Sequence, residues 1–327
     1  MKASDMRFAL ILPFLTLPAF ADVQTALDDH ILPGYTRLAD ETAKLAEAAQ
    51  ADCTPDALQP AFHAAYDAWI SISHIHFGPL EDQALTLTMS FWPDPKNSTG
   101  KALARLTTAA DPIVDQPEAF GDVSAAAQGF TALERMLYDP QPDADYACRL
   151  TQAIATGLAQ KSDSLNAAWP AFADQMLSAG TGGNARFQSD MEAQRALYTA
   201  LSTGLEFLHD QRLGRPLGTF DRPRPSRAEA RRSERSLRHI ELQLAALERL
   251  AAAMTNADLG ATSAAFAEAR ARADALEDPA LQGVADAEQR FKVEVLQQAV
   301  RAVQVAVIDE IGTPLGITAG FNALDGD

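Results

Sequence analysis

Apolar side chains return every three or four positions along most of this chain. Val23, Leu27, Ile31, Leu38 and Leu45 recur with polar residues between them. That spacing matches the helical repeat of about 3.6 and predicts a helix over 22–51, with Pro33-Gly34 set to bend or restart it. A second helix is expected over 57–76, with Phe62, Tyr66, Trp69 and Ile70 on its buried stripe and Phe77-Gly78-Pro79 ending it. Residues 80–97 read as irregular, because Pro93 and Pro95 in Phe91-Trp92-Pro93-Asp94-Pro95 exclude a regular helix or a central strand. Asn97-Ser98-Thr99 offers N-caps for a short helix to Leu106. Further helices are predicted over 123–138, 147–177, 185–211, 227–254, 261–276 and 280–311, with a Gly- and Pro-containing loop from Leu213 to Pro225. No strand-length alternation of β-branched residues stands out. Gly180-Thr181-Gly182-Gly183-Asn184 is the natural linker. The pattern therefore predicts an all-α protein of two helical bundles, 22–179 and 185–327, joined at 180–184.

Composition narrows the function classes. A length of 327 residues fits two domains, and 47% hydrophobic residues exclude wholesale disorder. Lys plus Arg is 27 and Asp plus Glu is 44, a net charge of −17. Such a chain is repelled by phosphate backbones, so a nucleic-acid partner is not expected. Residues 1–21 read as a signal peptide: Lys2 and Arg7, an apolar stretch from Phe8 to Leu17, then Ala19-Phe20-Ala21 with cleavage after Ala21. No later apolar run approaches the roughly 18 residues of a membrane helix, so the mature chain is expected to be exported without inserting into a membrane. Export to an oxidising compartment makes a Cys53–Cys148 disulfide plausible. Two buried free thiols are the other reading, and the absence of a CxxC spacing argues against a two-cysteine metal site.

Several segments in order resemble the imelysin family, exported helical proteins grouped with peptidase M75. They are Gly78-Pro79 with Phe91-Trp92-Pro93-Asp94, then Gly129-Phe130-Thr131-Ala132-Leu133-Glu134, then the stretch from Arg232 to Ile240, and the terminal Leu315-Gly316 with Gly320-Phe321-Asn322-Ala323-Leu324-Asp325-Gly326-Asp327. The resemblance implies two bundles with a site in the interdomain cleft, a periplasmic location and a link to iron acquisition. The family signature is G-x-H-x-x-E. This chain keeps Gly129 and Glu134 but carries Thr131 where the histidine belongs. Imidazole and carboxylate at i, i+3 share a helix face and can hold a metal, whereas a neutral threonine hydroxyl is a poor ligand. Gly129–Glu134 also echoes 320–325, matching at four of six positions, which suggests an old duplication or chance.

The expected cleft residues are Gly129, Thr131, Glu134, Trp92, Asp94, Asn322 and Asp325. Glu134 is the candidate metal ligand for a divalent ion such as iron, and Asp94 and Asp325 could add oxygens. His74 and His76, at i, i+2 on a helix, point apart and could share an ion only if the helix has ended. His63 is expected to pair with Asp67 four residues on, and His209 to favour a helix C-terminus after Glu206. Arg227, Arg231, Arg235 and Arg238 fall on one helical stripe, suited to acidic neighbours or to an anionic ligand. No H-E-x-x-H, H-x-x-E-H or G-x-S-x-G is present. The sequence therefore favours a periplasmic binding or accessory protein, taking a metal ion or iron complex and working beside a membrane transporter component. A divergent M75 metallopeptidase or a protein-binding module with a disabled metal site are the alternatives.

Overall fold

The computed structural model describes residues 23–317. The expected signal peptide lies outside the described residues, as do Asn322, Asp325 and the echo over 320–325. Apart from one isolated bridge between Thr219 and Arg222, the described residues form helices and loops. Nine longer helices carry the architecture. They are α1 (Leu32–Ala51), α2 (Pro55–Ile70), α3 (Ser98–Ala109), α4 (Gly129–Tyr138) and α5 (Ala144–Leu177) in the first half. In the second half they are α6 (Asp190–Glu206), α7 (Ser236–Ala253), α8 (Gly260–Asp274) and α9 (Ala287–Val307). Helix α1 packs on α2 and α5, and α4 lies against α2 and α5. In the second half α8 packs on α7 and α9, and α6 on α7 and α9. The buried apolar side chains form one connected core that includes both halves, from Phe62, Trp69 and Trp169 to Leu197, Leu247 and Val300. Among the described residues no helix is long and apolar enough to cross a membrane.

Three helices contain or end in a π turn, which the repeat pattern does not announce. The first, Leu27–Ile31, joins a single turn at Val23–Ala26 to α1. Its last hydrogen bond runs from Leu32 N to Leu27 O. Pro33 follows directly on this π turn, and the helix passes through Pro33-Gly34 instead of breaking there. Gly34 has a separate reason: a Cβ there would lie 2.7 Å from Ile72 Cδ1. The second π turn, Phe207–Leu213, prolongs α6 into Gly214–Leu217, so helix occupies the start of the stretch expected to be a loop. The third, Ile308–Gly312, closes α9. It places the Glu310 carboxylate to accept from Ala261 N at 3.0 Å and Thr262 N at 2.8 Å, capping α8 from a distant element.

Other segments differ from the sequence reading, and the helices expected from 123, 185 and 280 begin at Gly129, Asp190 and Ala287. Helix α2 stops at Ile70 rather than His76 and is followed by turns. Residues 80–97 hold two single-turn helices, Pro79–Asp82 and Thr86–Met89, before an irregular stretch with a cis Trp92–Pro93 peptide. After a short 3-10 turn at Pro225–Arg227, residues 228–235 are not helical, because Ala230 (φ 49°) and Glu234 (φ 55°) turn the backbone left-handed before α7 begins at Ser236. The glycine-rich segment after α5 is a tied turn: Gly180 N donates to Phe187 O at 3.0 Å, and Asn184 Oδ1 accepts from Phe187 N at 2.9 Å.

Cys53 and Cys148 are joined in a disulfide, with Cα atoms 5.3 Å apart across a sequence separation of 95. It ties the loop between α1 and α2 to the start of α5. Replacing both cysteines with serine is expected to lower the unfolding free energy by roughly 4–5 kcal/mol on the chain-entropy argument for a loop of this length. Denaturant unfolding of the oxidised parent and the double variant measures it, and coincident curves would remove the bond from the stability account.

Candidate functional site

Five of the expected cleft residues come together. Trp92, Asp94, Thr131 and Glu134 line a cavity of about 80 Å³ between the first half and the 215–232 stretch of the second, which contributes Arg215, Arg227, Glu229, Ala230 and Arg232. Gly129 opens the helix that carries two of them. Its φ is 75°, and a Cβ would lie 2.3 Å from Met89 O and 2.5 Å from Thr88 O. Only glycine permits that approach. The approach brings the Ser90 hydroxyl to 3.1 Å from Thr131 Oγ1, and Tyr66 Oη lies 3.4 Å from Ser90 Oγ.

Glu134 shares the Thr131 face of α4 and is buried rather than solvated. Its Oε1 accepts from Ser233 N at 3.0 Å and Ser233 Oγ at 2.8 Å, across the two halves of the chain. Asp94 caps α3, accepting from Ser98 N at 2.7 Å and Thr99 N at 2.9 Å, a task the sequence had pointed to Asn97-Ser98-Thr99 for. Burial opposes its charge, but those backbone donors and Arg135 leave its carboxyl below the usual value. Trp92 packs edge-on against Phe207, with ring centres 5.7 Å apart.

Behind this cavity lies a buried polar network that sequence reasoning missed. Arg212, placed by the π turn of α6, donates from Nε to Glu229 Oε2 at 2.7 Å and from Nη1 to Gln243 Oε1. His239 Nδ1 is 3.0 Å from the same Glu229 oxygen, and Gln243 Nε2 donates to Gly204 O at 2.9 Å. Burial opposes the Glu229 charge, yet Arg212 and His239 outweigh it and hold the carboxyl down at about 2. The Tyr66 ring stands edge-on to His239 at 4.4 Å, and burial first, then Glu229, pushes its hydroxyl well above the ordinary value. One sequence signal could have found part of this. His239 and Gln243, four apart, interrupt the apolar face of α7 between Ile240, Leu244 and Leu247. A second cavity of about 70 Å³ adjoins the network and shares Trp92 and Glu229 with the first.

The other candidates fall elsewhere. Because α2 has ended, His74 is free to turn inward, where its Nε2 lies 2.8 Å from His30 Nε2. His74 and His76 both line the second cavity. His63 Nε2 bonds the Tyr138 hydroxyl at 2.8 Å instead of pairing with Asp67, because Asp67 is held by Arg235 and, at 3.3 Å, Arg238. His209 Nδ1 contacts Asp210 Oδ1 at 2.5 Å, inside the π turn rather than at a helix end. The arginine stripe is dissolved by the left-handed turns. Arg235 and Arg238 do meet an acidic partner, Arg231 donates to Ser226 O at 3.2 Å, and Arg227 lines the cavity. Among the described residues no three or more His, Cys, Asp or Glu side chains gather to hold a metal. The Thr131 hydroxyl is engaged with Ser90, and one Glu134 oxygen already accepts two hydrogen bonds. This donor set does not fit a metal centre.

Two predictions follow from these contacts. Gly129→Ala is expected to cost at least about 2 kcal/mol, since it combines a strained φ with a backbone clash. A thermal melt unchanged from the parent would contradict the close approach. The second concerns acid. Burial, then Arg249, lowers the His30 pKa to about 4, and burial with nearby His30, His76, Arg249 and Arg212 lowers that of His74 well below its ordinary value. The unfolded chain binds these protons near pH 6.5 and the folded chain does not, so stability falls as pH drops from about 6.5 towards 4. His30 alone accounts for on the order of 3 kcal/mol. Glu229, with its depressed pKa, extends the loss from about 4.5 down to about 2. Urea unfolding at stepped pH should show this slope, and a shallower one in His30→Asn/His74→Asn; a flat parent profile would refute it.

Comparison with known proteins places the chain. The family model for Imelysin, Peptidase_M75, matches residues 31–307. No curated protein matches. An imelysin-like protein from Psychrobacter arcticum 273-4 superposes with a TM-score of 0.75 at 19% identity, covering 93% of this chain and 100% of that one. An iron-regulated protein A-like precursor from Parabacteroides distasonis ATCC 8503 gives 0.70 at 14% identity, covering 91% and 94%. At these identities the two structures speak for the fold alone. With most of its length matched by the family model, and Gly129 and Glu134 of the signature in place, the chain belongs to the imelysin family.

Proposed function

We propose that this protein is an exported binding or accessory protein in the acquisition of iron or another metal, and not a peptidase. The observation that carries the reading is the state of the motif pair. Thr131 and Glu134 are both occupied in hydrogen bonds that fix the cavity wall, to Ser90 and to Ser233. A hydrolytic site needs a nucleophile or activated water beside a base free to take its proton. Glu134 is tied down through Oε1, and among the described residues no histidine lines the cavity to work with it as a base, whereas a wall braced in this way suits a preformed receptor. The signal-peptide pattern of residues 1–21 supports work outside the cytoplasm, in the periplasm on the family resemblance. The printed name of the Parabacteroides relative supports the iron connection. In this role the protein would pass its cargo to a membrane transporter component.

Deleting the gene is expected to slow growth only when iron is withheld by a chelator, with rescue by the wild-type gene. Equal growth of deletion and parent strains would sink the acquisition role. Purified protein is expected to leave unstructured peptides intact with or without chelator. Chelator-sensitive cleavage that disappears in Glu134→Ala would establish the metallopeptidase alternative instead.

A further inference from the structure

We propose that the cavity is an oxyanion site, taking one carboxylate or phosphate group of a ligand between Arg135, Arg215, Arg227 and Arg232. This rests on the binding-protein reading and names the chemical class of what is bound.

Four guanidinium groups line the same small space. Of these four, only Arg232 makes an ion pair with a described residue, Asp139 at 2.7 Å. Arg215 meets the neutral Gln211 amide oxygen at 3.1 Å, and Arg135 meets the neutral Asn97 amide oxygen at 2.7 Å. Arg135 Nε is buried without a hydrogen-bond partner. None of the three lining carboxylates is given a hydrogen bond by these four guanidiniums, although Asp94 and Glu134 lie near enough to Arg135 to act on its charge. Asp94 is held by two backbone N–H groups, Glu134 by Ser233, and Glu229 by Arg212 and His239.

The guanidiniums also work against each other. Burial, then Arg232, depresses the proton affinity of Arg135 despite Asp139, Asp94 and Glu134 nearby. Burial, then Arg227, does the same to Arg215. Like charges held together in a partly desolvated space destabilise the free protein, and an anion between them relieves that repulsion. Arginine is also the side chain best shaped for forked hydrogen bonds to carboxylate or phosphate. Size fits one such group: 80 Å³ holds several waters at roughly 10–15 Å³ each, too little for a whole macrocycle. The acidic balance of the chain does not oppose this, because charges beyond about 8–10 Å are screened at ordinary salt.

The test is calorimetry on the whole exported chain at low ionic strength, with inorganic phosphate and with citrate as separate probes. It is repeated on Arg215→Gln/Arg227→Gln, whose side chains are half-buried and exposed respectively and so tolerate replacement. Saturable binding of at least one probe is expected, weakened about tenfold or more in the double variant, as for a lost hydrogen bond to a charged group. The melting temperature of the variant should be unchanged or raised, since a repulsive pair has gone. Phosphate alone, or citrate alone, would identify which source of the oxyanion the cavity selects. Failure of both probes to bind at millimolar concentration, or equal binding by the variant, would overturn the proposal. Binding of ferrous ion with neither anion would overturn it too while leaving the acquisition reading in place. That reading fails separately, through growth and peptide cleavage.

Discussion

The ion pair between Arg212 and Glu229 is the contact on which the rest of the site depends. Both side chains are buried, at 4% and 5% exposure. The segment that carries Glu229 has no regular helix of its own and turns left-handed at Ala230 and Glu234. Each such turn at a non-glycine residue costs something on the order of 1–3 kcal/mol and persists only where its surroundings over-determine it. Here polar contacts do so. Glu229 is drawn in by Arg212 and His239, the Ser236 hydroxyl donates to Glu229 O, Ser233 is held by Glu134, and Arg232 by Asp139. A buried ion pair adds little net stability over a well-packed apolar pair, but removing one partner leaves a charge stranded, at roughly 3–5 kcal/mol. Its contribution is therefore placement: it fixes where Arg227 and Arg232 stand relative to α4.

Much of the helical framework could be read from the spacing of apolar residues, because burying one face of a helix is a local, periodic requirement. Leu38 and Leu45 are fully buried in α1, and Phe62, Tyr66 and Trp69 face inward from α2. What spacing could not supply was the backbone's response to tertiary contacts. Arg227, Arg231, Arg235 and Arg238 have helical intervals, yet the first three precede α7, because the backbone turns left-handed at Ala230 and Glu234. The π turns at 27–31 and 207–213 are similarly silent. A π turn adds a residue to one helical loop while buried positions such as Leu27 and Ile31, or Leu208 and Arg212, remain four apart.

The site divides along the same line. Trp92, Asp94, Gly129, Thr131 and Glu134 were legible as a set only through family resemblance, and the fold gathers them around one cavity. Gly129 has an independent physical reason, the carbonyls of Thr88 and Met89 beneath it. Arg212, Arg215 and Glu229 were not legible, since they lie on a π turn, the single helical turn after it and an irregular segment, while His239 left only the trace of a polar break in the apolar face of α7. The histidines misled for a related reason. His63, His74 and His209 were weighed by helical geometry, but each takes a partner that helix spacing does not supply: Tyr138, His30 and Asp210.

Threonine in place of the signature histidine changes what the wall of the cavity can do. An imidazole there would bring a strong ligand, and near Glu134 it would favour a cation. The threonine hydroxyl instead exchanges a hydrogen bond with Ser90, which in turn lies within reach of Tyr66, so that side of the cavity is neutral. Glu134 and Asp94 take their hydrogen bonds from neutral donors and keep their charges, and among the described residues Arg135, Arg215 and Arg227 face the same space without an ion pair of their own. The sign of a binding site is set by the nearest unpaired groups, not by the net charge of the chain. On the oxyanion reading, threonine at the signature position withholds an imidazole ligand from this wall and leaves the neighbouring guanidinium groups to select what the cavity takes.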